Sequence, residues 1–144
     1  MRGIVSLLGG IAVVACGGNP APGSTNPADV FLIVDSTAFH RQGQAALPVT
    51  YSVTNGGSAT VYVAQCDGAP AAVADRWDYG VWRFYEGGFC NGGPQPPLAL
   101  APGTSASGVF MLYISGNFRL RLGTTSSPTG TDERIIASSG FDVF

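Results

Sequence analysis

The chain has no lysine and one histidine, and only 11% of its 144 residues are charged. Without a basic cluster it lacks the electrostatic footprint of a nucleic-acid binder. His40 alone would have to serve any Ser-His-Asp or Cys-His arrangement, and no Gly-x-Ser-x-Gly elbow supplies a nucleophile. The carboxylates Asp67, Asp75, Asp78 and Glu86 gather near the middle, but their spacing follows no calcium-loop or glycosidase pattern. No glycine loop of the phosphate-cradling kind precedes a helix, there is no internal repeat, and the cysteines lack metal-ligand spacing. The expectation is a protein that is not an enzyme and holds no metal or cofactor.

What is abundant is glycine, 21 residues, and proline, 10, in a chain that is 45% apolar. High hydrophobicity with little charge excludes disorder outside a linker. Short apolar runs between Gly/Pro turns point to an all-β domain.

Met1-Arg2 is a minimal positive region, and Gly3 to Ala15 is an apolar stretch ending in small residues. It is shorter than the ~20 residues of a transmembrane helix and has the shape of a secretory signal peptide. Its end, Val13-Val14-Ala15-Cys16, resembles the lipobox of bacterial lipoproteins, with Val13 where leucine is commoner. The resemblance implies cleavage before Cys16, lipid on the Cys16 sulfur and acylation of the new amino terminus. Several acyl chains hold a protein on a bilayer, at about 0.8 kcal/mol per buried methylene. Residue 17 is Gly rather than the Asp of inner-membrane retention, so the resemblance favours the outer membrane. The implied organisation is a leader at 1–15, the lipidated Cys16 with a flexible Gly/Pro/Ser tether to residue 28, and a folded domain at 29–144.

Within that domain, Leu47, Val49, Tyr51 and Val53 alternate with Pro48, Thr50, Ser52 and Thr54, the period of a half-buried strand. Asn55-Gly56-Gly57-Ser58 offers residues that tolerate positive φ, and a β-branched run to Cys66 follows, so the pattern predicts a β-hairpin. Further strands are expected at 29–35, apolar on both faces and therefore covered, then at 79–85, 109–114, 118–122 and 134–144, the last bulged near Ser139-Gly140. Residues 71–77 read equally as an edge strand or a turn of helix. Gly116-Asn117 reads as a tight turn, and residues 124–132 as a polar loop.

About seven to eight short strands at regular spacing predict a β-sandwich with Greek-key connections. The layout resembles immunoglobulin-like accessory domains of bacterial surface proteins at Val53 to Gly57, Leu100 to Gly103 and Gly116 to Leu122. That resemblance covers most of residues 29–144 and implies a fold better than a function.

With Cys16 assigned to lipid, Cys66 and Cys90 form an even pair in an exported protein. A bridge would close a loop of about 25 residues and contribute roughly 3–4 kcal/mol in the chain-entropy model. It would also anchor a glycine-rich loop in which only Phe89 and Cys90 can hold anything. Free thiols, or a redox or metal role, are the alternatives.

The aromatics Trp77, Tyr79, Trp82, Phe84, Tyr85 and Phe89 are either core or a contact surface. If residues 77–85 run as one strand, Trp77, Tyr79 and Tyr85 share a face with Arg83, and Trp82 and Phe84 share the other. Arg83 is costly to bury, so Trp82 and Phe84 are expected in the core near the disulfide. Trp77, Tyr79 and Tyr85 are then the candidate binding surface. The sequence thus reads as a non-catalytic, lipid-anchored envelope module contacting protein or glycan. A proteinase-inhibitor-like domain, or a small-molecule carrier or enzyme, is the alternative.

Overall fold

The computed structural model describes residues 29–88, 90, 92–93 and 95–144, so the leader, Cys16, the tether and Phe89 lie outside the described residues. The described chain is all-β: thirteen strands and no helix.

One sheet has three strands in the order β1-β3-β10, with β1 Val30–Val34, β3 Leu47–Asn55 and β10 Ser105–Leu112, all antiparallel. The other is built around β11, Gly116–Thr125. On one side β11 pairs with β13 (Phe141–Val143) and β12 (Arg134–Ala137); on the other with β7 (Val73–Asp78) and β4 (Val61–Val63). This sheet is extended by β8 (Val81–Gly87) on β7, β9 (Leu98–Leu100) on β4 and β2 (Ala38–Phe39) on β13, the last parallel. A small separate hairpin joins β5 (Gln65–Cys66) to β6 (Ala69–Pro70).

Alternation buries one face of each main sheet in a shared sandwich-like core. Val49, Tyr51, Val53, Phe110 and Leu112 come from one layer, and Phe118, Leu120, Leu122, Ile136 and Phe141 from the other. Arg119 and Arg121 point outward from β11, as their alternation predicts. The final strand breaks between β12 and β13 at Ser138–Gly140, where the expected bulge lies. There Ser138 N–H donates to Leu120 O at 2.8 Å, and the Ser138 hydroxyl accepts from Leu120 N–H at 3.0 Å.

The expected hairpin at 47–66 does not form. Both edges of β3 are taken by β1 and β10, so the chain crosses after Asn55 and enters the other sheet as β4. Gly56 and Gly57 are not in the positive-φ region. They are needed for close approach: a Cβ at Gly56 would lie 2.9 Å from Phe31 Cε2, and one at Gly57 3.0 Å from Asp29 Cβ. The buried Asn55 side chain holds the crossing. Its amide donates to Ala59 O (2.8 Å) and Leu100 O (2.9 Å), and its carbonyl accepts from Gly57 N–H (3.0 Å).

Three smaller expectations also change. β1 is an edge strand whose apolar outer residues Phe31 and Ile33 are exposed rather than covered. Residues 113–115 make the reversal expected at Gly116-Asn117, because both of those residues already pair with β13. Residues 71–77, ambiguous in the sequence, enter β7 from Val73.

The registers set two ends of the sandwich. Asp29, the crossing at 55–60 and the 101–104 turn lie at one end. The reversal at 113–115 and the tip of the β7–β8 hairpin lie at the other.

Tyr51 crosses the core under Gly108, and its hydroxyl donates to Pro70 O. Burial pushes its phenol above the ordinary value of 10.0, partly offset by the Ala72 backbone amide. The folded state therefore holds this proton where the unfolded chain has released it. The contribution to stability is complete below about pH 10 and is lost as pH rises through the folded value. Absorbance at 295 nm during alkaline titration should show one tyrosine ionising only with the loss of near-UV circular dichroism. Free titration of every tyrosine in the folded protein would contradict this.

Candidate binding face

Asp78-Tyr79-Gly80-Val81 reverses the chain with positive φ at Tyr79 (50°) and Gly80 (84°), the two-residue turn that suits strand twist. Residues 77–85 are therefore two strands and not one, and the turn makes Trp77 and Trp82 direct cross-strand partners on one face. A bulge follows: Phe84 opposes Asp75, Glu86 opposes Ala74, and Tyr85 is the extra residue.

These two irregularities overturn the expected face assignment. Phe84 is 63% exposed and stands on the outer face beside Trp77, which is 45% exposed. Tyr85 instead packs against the core, its ring 5.4 Å from that of Phe118 and edge-on. Burial, with the Glu86 carboxylate second, pushes the Tyr85 phenol upward. Tyr79, at the hairpin tip, is 99% exposed. Trp82 is half-buried on the outer face, 5.1 Å from Trp77 in an edge contact, and Gly140 leaves the space against which its ring lies.

Beneath the aromatics sits an ionic group missed by sequence reading. Asp75 is only 3% exposed, yet it accepts from Arg119 Nε (3.1 Å) and Nη2 (3.0 Å) and from Arg121 Nε (2.7 Å). Both arginines project from β11 onto this face, and the Arg119–Asp75 register brings the pair together. Arg119 Cζ also lies 4.8 Å from the Trp82 ring centroid, a cation–π contact. The clue was the outward parity of Arg119 and Arg121; the partner strand could not be read without the topology. The face can stack planar or apolar groups, with fixed polar groups beside them.

Cys66 and Cys90 form a disulfide with a Cα separation of 5.2 Å. Gln95 reinforces this tie, accepting from Asp67 N–H (3.1 Å) and donating to Asp67 Oδ1 (2.9 Å). The bridge lies at β5, away from Trp82. His40 stacks on Phe144 at 5.3 Å. Among the described residues no three His, Cys, Asp or Glu side chains are grouped to hold a metal.

No protein-family model matches the chain, and no curated protein does. Among solved structures it is similar to a β-glucosidase from Listeria innocua in complex with isofagomine, at 11% identity and a TM-score of 0.35. A mutant β-glucosidase from Listeria innocua in complex with laminaribiose gives 11% and 0.33. The matches cover 80% and 79% of this chain but only 16% of each enzyme chain, too slight a likeness to carry an activity across.

Proposed function

We propose that this chain is a lipid-anchored, non-catalytic binding module of the bacterial cell envelope, which meets protein or glycan through the outer face of the β7–β8 hairpin. The observation that carries the reading is the exposure of Trp77, Tyr79 and Phe84 on one projecting hairpin, where solvent contact is unfavourable for such large apolar surface. The immunoglobulin-like Greek-key reading of the sandwich is supported by strand order. One sheet runs β1-β3-β10, the other is centred on β11, and the chain crosses between them at 55–61, 100–105 and 112–116. Anchoring through Cys16 and outer-membrane residence rest on the lipobox resemblance. If the tether joins at Asp29, the hairpin tip lies at the far end of the domain, pointing away from the anchoring membrane.

A photo-crosslinking amino acid at position 79 in the full chain, expressed in bacteria, tests this reading. A discrete adduct with envelope protein or glycan is expected, lost in Trp77→Ala/Phe84→Ala, with no adduct from the same probe at position 50. In the same cells Cys16→Ser should release the protein from membranes. Equal labelling from positions 79 and 50 would remove the contact surface, and a mature amino terminus without lipid mass would remove the anchor.

A further inference from the structure

The free edge of β10 has the features of a strand-acceptor site. Asn55 N–H donates to Thr104 O at 3.0 Å, which fixes the phase of the antiparallel ladder. Even-numbered residues of β10 bond β3, and Ser105, Ser107, Val109 and Met111 turn their N–H and C=O groups the other way. Among the described residues no strand pairs with that side. Exposed edges are ordinarily blunted by lysine, proline, inward charge or a bulge. From Ser105 to Tyr113 this strand has no charge and no proline, its register with β3 is unbroken, and Val109 (59%), Met111 and Tyr113 are exposed.

A trench of about 330 Å³ runs along this edge. Phe110, Met111 and Tyr113 form one wall, and Pro70, Ala72 and Gly87 the other. β6 lies beside β10 without hydrogen bonding to it. The only charged lining residues are Asp67 and Glu86, both acidic.

We propose that the β10 edge binds an extended segment of a partner polypeptide by strand addition, with alternate apolar side chains in the trench and a basic residue toward Asp67 and Glu86. Backbone pairing supplies the affinity, and the trench and its acidic rim supply the selection. A second copy of this chain fits less well. Two-fold pairing of β10 edges would bring each copy's β6 wall against the other's, whereas a single strand needs only the width of the trench. This surface is separate from the β7–β8 face, so either assignment can fail without the other.

The probe is a panel of nine-residue peptides alternating valine with lysine or threonine, titrated into the full chain with amide hydrogen exchange as readout. Bound peptide should slow exchange at Ser107, Val109 and Met111 and leave their even-numbered neighbours, already paired, unchanged. Val109→Pro removes an edge-facing N–H without touching the ladder to β3, and should weaken binding about tenfold or more. N-methylation of alternate peptide residues should do the same, and glutamate in place of lysine should weaken binding at low salt. The proposal is overturned if no peptide protects those amides, or if methylated peptides bind equally well. Concentration-dependent dimerisation that Val109→Pro abolishes would assign the edge to a second copy instead.

Discussion

Asn55→Ala should lower the free energy of unfolding by about 4 kcal/mol, measured by urea titration. The figure follows from what the substitution leaves behind. Three hydrogen bonds go at once, each contributing about 1 kcal/mol net. The carbonyls of Ala59 and Leu100 and the amide of Gly57 lose partners at a position with no exposed surface. An unsatisfied buried polar group costs a further ~1–3 kcal/mol. Asn55→Asp separates donor from acceptor roles. It keeps an acceptor for Gly57 but sets a carboxylate against two carbonyl oxygens, so it should be at least as damaging at neutral pH and recover partly in acid. A loss below about 1 kcal/mol for the alanine variant would show that the crossing holds without its side-chain bonds.

The second large effect is expected at Gly108. A Cβ there would lie 2.5 Å from Tyr51 Cζ and 3.1 Å from Cε1. Valine forces either the ring or the strand to move. Displacing the ring takes a buried aromatic from the core and breaks its bond to Pro70 O. A loss of about 4 kcal/mol is expected, in the range of aromatic truncations. The double variant Gly108→Val/Tyr51→Ala should be no less stable than the sum of its parts, and should regain about 1–2 kcal/mol over it, because the clash is removed with the ring. Strict additivity would mean that the two positions do not share their space.

The all-β class, the outward arginines of β11 and the interruption near Ser139-Gly140 were legible, since period-two alternation and turn residues are local signals. The sheet to which a strand belongs is not a local property. Asn55-Gly56-Gly57 has the composition of a hairpin turn, and only the occupation of both β3 edges turns it into a crossing. The aromatic run failed for a different reason. A parity argument over residues 77–85 assumes one unbroken strand, while the chain reverses at Tyr79–Gly80 and inserts an extra residue at Tyr85. Each event inverts the face of everything beyond it. Trp82 and Phe84 thus exchange places with Tyr85. The candidate surface shifts accordingly, keeping Trp77 and Tyr79 and gaining Phe84. The Asp75 group was illegible because its members are separated by 44 and 46 residues in sequence.

The parallel pairing of β2 with β13 has a mechanical meaning. Asp142 N–H donates to Thr37 O (2.9 Å), Phe144 N–H to Phe39 O (3.0 Å), and Arg41 N–H to Phe144 O (2.9 Å). Strands β1, β2 and β13 all run from the Asp29 end toward the hairpin end. A pull between residue 29 and residue 144 therefore acts along the strands and not across them. The three bonds are loaded together in shear and cannot be peeled one at a time. The same is true of the β1–β3 ladder. Under tension along its length this domain should yield abruptly, at a force set by the whole patch, and hold its shape until then.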